Sequence, residues 1–304
     1  MTLHNILGID KNIKGYVLSH EHIFCDFTEV TGDSDHLLND KAVALRELAY
    51  FANIGGAAIV DITPTDLGRQ PQLLVDIASK TELSIIMATG WYRKAFYPPE
   101  IDITSSKALA EIMISELTRG IDLPSGDRAI AGIIGEIGVD RDLVSAQEER
   151  VLRAAAIAAL ETGAPISTHS SMYPVGLQQL EVLRQYPLEA NKIIIGHADT
   201  YLDADYHKKI VDAGCYIQFD TIGRSHMNSD HDRISAIMHL IENGYQKQLL
   251  FSTDRCFRSD LKTFGGLGYD YLFTTFKKLL GEAGLGSDKF NEITKDNPIR
   301  ALSW

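Results

Sequence analysis

Cysteine is scarce in this sequence. Cys25, Cys215 and Cys256 are the three in 304 residues, widely spaced and in no CxxC pair. That excludes a disulfide framework, points to a reducing compartment, and leaves all three as structural thiols. Positive charge is also in deficit. A net charge of −12 argues against nucleic acid or an anionic membrane surface as the main partner, though a few local arginines can still hold a small anion. No apolar run reaches the length of a membrane span and the first residues carry no basic-then-apolar leader, so the cytoplasm is the expected compartment. GxGxxG and GxxxxGK[ST] loops, linkers, 20–50-residue repeats and low-complexity tracts are missing too. What remains is ordinary globular composition, 45% apolar and 23% charged. One domain over residues 1–304 is the economical organisation, a normal length for a large α/β barrel.

Short apolar runs alternate with helical patterns throughout. Strands are expected at 16–23, 57–63, 84–90, 131–138, 164–169, 192–199, 215–220 and 249–254. Most are continuous apolar runs, as in strands buried on both faces. Helices are expected at 40–53, 69–80, 105–119, 145–163, 175–186, 203–213, 230–243 and 269–281, with a last one near 287–295. The clearest is "SAQEERVLRAAAIAALETG", where Ser145 and Glu148 have capping-box spacing and Gly163 can end the helix. Eight strand-then-helix units predict a (β/α)8 TIM barrel, with a doubly wound open sheet as the alternative.

In such a barrel, reactive groups belong at the C-terminal ends of the strands. Within "YVLSHEHIF", strand alternation puts His20 and His22 on one face and Glu21 on the other. Glu136 lies near the end of the fourth strand, His169 ends the fifth, His197 the sixth and Asp254 the eighth. Each alone has a plain structural explanation: Asp254 as a turn cap, Glu136 as an arginine's partner, a histidine as a half-buried strand end. Six of them at one end of one barrel point instead to a metal site. Four imidazoles and two carboxylates suit zinc, with manganese, cobalt or iron accepted by the same donors. The set exceeds what one tetrahedral catalytic ion needs, so two ions bridged by Glu136 fit better. His4, His36, His207, His226, His231 and His239 fall in loops or helical segments and are left structural or solvent-facing.

A resemblance rests on these residues. "LSHEHIF", "GIIGEIG", "GAPISTHS", "IIIGHAD" and "FSTD", in that order, with "TGWYRKAFYPP", "YIQFDTIGR" and "GGLGYDYLFTTF", resemble the phosphotriesterase family of the amidohydrolase superfamily over nearly the whole chain. A glutamate at the fourth strand, where true phosphotriesterases carry a carboxylated lysine, is similar to the phosphotriesterase homology protein branch. The resemblance implies that His20, His22 and Asp254 hold one ion and His169 and His197 the other, with Glu136 and a hydroxide bridging.

A water shared by two divalent ions becomes acidic enough to attack at neutral pH. Asp254, at the edge of the site, is then the expected catalytic acid–base, while Glu21 is read as a structural partner. The segment after Asp254, "RCFRSDLKTFGG", is short and charged, which disfavours long acyl chains and bulky aryl groups. Arg224 and Arg258 are expected to meet an anionic substrate group and Tyr97 to reach the same mouth. The branch that hydrolyses phosphorylated sugar lactones has an arginine three residues after the ligand aspartate; this chain has Phe257 there. The expected activity is hydrolysis of a small polar lactone, with or without a phosphate, or of a carboxylic ester. A phosphoester or organophosphate hydrolase is the enzymatic alternative, and a non-catalytic metal-binding barrel the remaining one. The partner is a small-molecule substrate, not nucleic acid or membrane, and a homodimer is one assembly open to the chain.

Overall fold

The computed structural model describes residues 2–10 and 13–304. Eight parallel strands wrap in sequence order into a nearly closed barrel: β1 Tyr16–Glu21, β2 Gly56–Asp61, β3 Ser84–Thr89, β4 Ala131–Gly138, β5 Ile166–His169, β6 Ile193–Gly196, β7 Tyr216–Phe219 and β8 Leu249–Phe251. The helices between them are α1 Lys41–Asn53, α2 Pro71–Ala78, α3 Ser106–Thr118, α4 Ala146–Thr162, α5 Gly176–Leu183, α6 Ala204–Asp212 and α7 Asp230–Glu242. The expected (β/α)8 order holds, with seven of the eight strands one to four residues shorter than the apolar runs. The residues trimmed from the C-terminal ends are those that turn into the mouth.

The larger apolar core lies between strands and helices, while Val17, Val60, Ile86, Ile133, Ile194 and Leu250 fill the lumen. Burying each contributes about 1.5–3 kcal/mol. Leu3, Ala301 and Leu302 join this inner cluster and plug the N-terminal end of the barrel. Trp304 stacks on His4 and donates its indole N–H to Gly132 O at 2.8 Å. The antiparallel hairpin Leu3–Asn5 and Gly8–Asp10 that supplies this plug was not expected, because its three-residue strands are too short to show periodicity.

Helix α4 has the expected capping box, and Gly163 ends it at φ 81°. The helix expected at 269–281 opens instead with a wide π turn, Leu272–Phe276, before Lys277–Glu282. Tyr269, where the expected helix would begin, is committed elsewhere: it donates its hydroxyl to His22 O at 2.8 Å. The last helical stretch continues past 295 to Leu302, with Pro298 accommodated in the first turn of its final segment. No helix among the described residues is long and apolar enough to cross a membrane.

Between β8 and β1 the sheet is joined through Glu21 rather than by a regular ladder. Its Oε1 accepts the Thr253 N–H at 2.7 Å and the hydroxyls of Ser252 and Thr253 at 2.8 Å each. Its Oε2 accepts the Arg255 N–H at 2.8 Å.

Candidate metal centre and its cavity

The centre begins with a register change. Val17 belongs to the inner cluster, so strict alternation would bring Glu21 to the inner face as well. The pairing of β1 with β2 shifts register between Leu18 and Glu21, and beyond the shift His20 and His22 take the inner face. Asp61, ending β2, fixes the turn that follows by accepting the backbone N–H groups of Ile23 and Phe24. Opposite, Gly135 delivers Glu136 from β4: its φ is +142°, and a Cβ there would lie 2.4 Å from Ser167 O. Only glycine permits that approach.

All six expected ligand residues converge, and all are at most 9% exposed. Glu136 is the hub. Its Oε2 lies 3.5 Å from His20 Nε2, 3.3 Å from His197 Nε2 and 2.9 Å from His169 Nδ1; its Oε1 lies 3.4 Å from His22 Nε2. Asp254 Oδ1 is 3.4 Å from His22 Nε2 and 3.7 Å from His20 Nε2. Donor atoms of His20, His22 and Asp254 lie within 4.8 Å of one another, and so do those of His20, Glu136 and His197. His169 joins through Glu136, presenting Nδ1 where the other three rings present Nε2. His197 and Asp254 both sit in the left-handed region, at φ 53° and 49°. Each such residue costs on the order of 1 kcal/mol or more, held in place by its surroundings.

The donors fit divalent cations. His20 Nε2 is buried with no hydrogen-bond partner, facing two carboxylates. Burial pulls the His22 imidazole down, but Asp254 and Glu136 outweigh it and hold it near 10. Burial likewise pulls His197 down, and Asp220 outweighs it to hold the ring well above its ordinary value. Burial would push Glu136 up, yet the imidazoles, led by His169 and His20, hold it well below the usual carboxylate range. His169 falls instead, to about 4, through burial and the neighbouring His197. Protons on His22 and His197 thus balance the carboxylates, and a bound cation would take over that charge and release them.

Three contacts behind the ligands had no sequence signal beyond residue type. Asp220, one residue past β7, accepts from His197 Nδ1 at 2.7 Å and from its backbone N–H at 3.1 Å, and its other oxygen is 3.3 Å from His20 Nδ1. Thr63 Oγ1 is 2.8 Å from His22 Nδ1. The Tyr92 hydroxyl is 3.5 Å from His169 Nε2. These partners set which ring nitrogen faces the centre.

The centre floors a cavity of about 410 Å³, walled by Phe27, Phe96, Met172, Met227 and Phe257, with Arg93, Asp140, Arg224 and His226 at its polar positions. Arg224 does reach this cavity, but its guanidinium is committed. It bonds the Asp254 carbonyl, Cys256 Sγ and Asp260 Oδ2, its Nε is 3.6 Å from Asp254 Oδ2, and its side chain is 2% exposed. Burial would push Asp254 up; Arg224, then His22, outweigh it and hold the carboxyl below its usual range. Arg258 and Tyr97 do not line the cavity. Arg258 stacks over Phe264 at 4.6 Å beside a separate pocket near α1, because the turn after Phe257 carries it outward. Tyr97 lines a neighbouring groove with Trp91, Pro98 and Pro99, on the far side of Phe96.

The model of the phosphotriesterase family matches residues 1–302. The phosphotriesterase homology protein of Escherichia coli is 35% identical over 284 residues, 93% of this chain and 96% of that one. Its crystal structure, described as complexed with phosphate in the active site, superposes with a TM-score of 0.93, covering 96% of this chain and all of the other. An N-acetyltaurine hydrolase from Dictyostelium discoideum is 30% identical over 88% of this chain and 74% of its own length. A lactonase from Listeria monocytogenes matches at a TM-score of 0.91 and 28% identity, covering 100% and 99% of the two chains.

Proposed function

The chain belongs to the phosphotriesterase family, and from that premise we propose that it hydrolyses a small polar lactone or carboxylic ester at a pair of divalent ions, most simply zinc. It is a hydrolase acting on ester-like bonds, and its family is one of binuclear metal enzymes. The observation that carries the proposal is Glu136, a buried carboxylate within 3.5 Å of four imidazole nitrogens on the floor of an open cavity.

His20, His22 and Asp254 would hold one ion, His169 and His197 the other, and Glu136 would bridge them. When bound, the ions polarise the scissile carbonyl and make a neighbouring water acidic near neutral pH. Asp254 takes that water's proton and returns it to the leaving oxygen. Arg224 keeps Asp254 ionised and aimed; Asp220 and Thr63 keep His197 and His22 turned inward. The apolar wall of Phe27, Phe96, Met172 and Phe257 limits the acyl side to a small group and shields the reacting carbonyl from bulk water.

A second reading, hydrolysis of a short N-acyl amide, keeps the same carbonyl chemistry. It is favoured by the 30% identity to an N-acetyltaurine hydrolase over 88% of the chain.

The test is metal analysis of the purified protein, then turnover on lactones, carboxylic esters, N-acyl amino acids and aminosulfonates, and phosphotriesters. Two ions per chain and fastest turnover on a lactone or ester are expected, with activity lost to a chelator and restored by metal. Turnover unchanged in Glu136→Ala, or fastest on a phosphotriester, would overturn the proposal.

A further inference from the structure

Arg93 is the cavity cation that the centre does not use. It sits in the loop after β3, and its Nη1 donates to Asp140 Oδ1 at 2.7 Å, just past the end of β4. The guanidinium lies over Tyr92 and Phe96 at 5.1 and 5.2 Å from the ring centroids, which fixes its plane. Among the described residues its Nε is buried with no hydrogen-bond partner. One Asp140 oxygen and the neighbouring Tyr92 side chain engage part of a five-donor fork. The side chain is 28% exposed, against 2% for Arg224. Its chain neighbour Tyr92 reaches toward His169 Nε2, so the arginine stands one residue from a side chain that touches the metal centre.

We propose that Arg93 is the specificity residue of this hydrolase, receiving a carboxylate or sulfonate carried on the substrate a few bonds from the scissile carbonyl. The inference rests on the carbonyl-hydrolase reading above and adds the substrate's charge. Three features support it. Arg224, buried and bonded to Asp254 and Asp260, has no fork to offer a ligand. The apolar lining of Phe27, Met172 and Phe257 lowers the local dielectric, which strengthens a charge pair formed inside the cavity. A planar guanidinium pre-set by stacking loses little freedom when a second planar anion docks against it. The competing role, a simple staple between the loops after β3 and β4, requires only the Asp140 bond and predicts no dependence on substrate charge.

The experiment uses metal-loaded protein and pairs of substrates alike except for a distal carboxylate or sulfonate. In Arg93→Met, KM for the anionic member should rise ~10- to 100-fold with kcat changed by less than about threefold, and KM for the neutral member should stay within about twofold. Arg93→Lys should recover part of the loss, and Arg258→Met, outside the cavity, should change neither. In parallel, calorimetry with a small alkanesulfonate, a poor ligand for divalent metals, should show binding to the parent that weakens by a similar factor in Arg93→Met. Equal KM shifts for both substrates, or sulfonate binding unchanged in Arg93→Met, would overturn the proposal. If no carbonyl substrate turns over, the hydrolase reading fails by itself, and the Arg93 dependence of sulfonate binding still decides this one.

Discussion

Glu21 closes the barrel against Arg255: its Oε2 accepts the Arg255 backbone N–H at 2.8 Å while its Oε1 takes three donors from Ser252 and Thr253. The glutamate between the two histidines of "SHEH" thus faces the seam and ties β1 to the segment that carries Asp254.

Glu21→Gln should therefore act on stability and activity together. A glutamine amide has to place its NH2 against either the Arg255 N–H or the three donors at Oε1, and both orientations oppose donor to donor. The expected cost is about 2–4 kcal/mol, read as a fall in ΔG of urea unfolding. Activity should fall as well, because the His20 and Asp254 backbones are bonded across the same seam. A variant as stable as the parent would show that the seam does not depend on this carboxylate.

Asp220 makes a different prediction, because it orients ligands without joining strands. Asp220→Asn offers one oxygen where His197 Nδ1 and N–H now find a carboxylate, and it removes the charge facing His20. Metal affinity, measured by competition with a chelator, should fall by ~10- to 100-fold. Unfolding of the metal-free protein should change far less. Unaltered affinity would mean that the ring tautomers are set elsewhere.

The difference between those two residues marks how far the sequence could be read. The convergence of His20, His22, Glu136, His169, His197 and Asp254 was legible because each lies at or near the end of an apolar run, and a barrel sends every such end to one mouth. Asp220 ends "CYIQFD" in the same way, yet an aspartate at a strand end is also an ordinary turn cap, and nothing local says that it will face an imidazole. Arg224 and Arg258 looked alike on the chain as loop arginines. One is buried against Asp254 and the other stacks on Phe264 outside, a separation set by how the loop after β8 folds. Such loops follow tertiary packing, which no periodicity encodes, and Arg93 was passed over for the same reason.

Asp66, bonded to the loop that carries Tyr92, predicts a pH effect on stability. Burial pushes its carboxyl up to about 7, against the Tyr92 backbone N–H that bonds both oxygens at 2.9 and 3.0 Å. The folded value lies above the unfolded one, so the folded state holds the proton longer. Its contribution is fully present below about pH 4 and is lost as pH rises through about 7. Asp66→Asn cannot ionise and should escape that loss. Its Tm should match the parent's below pH 4 and exceed it by about 2–5 °C at pH 8. A difference that does not grow with pH would refute the assignment.

Arg224 supplies the sharpest contrast with a substrate-binding arginine. Its guanidinium is bonded to the Asp254 carbonyl and to Asp260, and its Nε faces Asp254 Oδ2 at 3.6 Å. Truncation in Arg224→Met removes the charge that holds Asp254 ionised and leaves Asp260 beside an apolar chain. The loss should fall on kcat, by ~100-fold or more, with KM changed little, because the interaction is made to a catalytic group and not to the substrate. Arg224→Lys should restore only part of kcat, since one ammonium cannot span both aspartates with the geometry of a fork. Steady-state kinetics on one anionic substrate separates the cases. A rise in KM at constant kcat would make Arg224 the anion receptor after all.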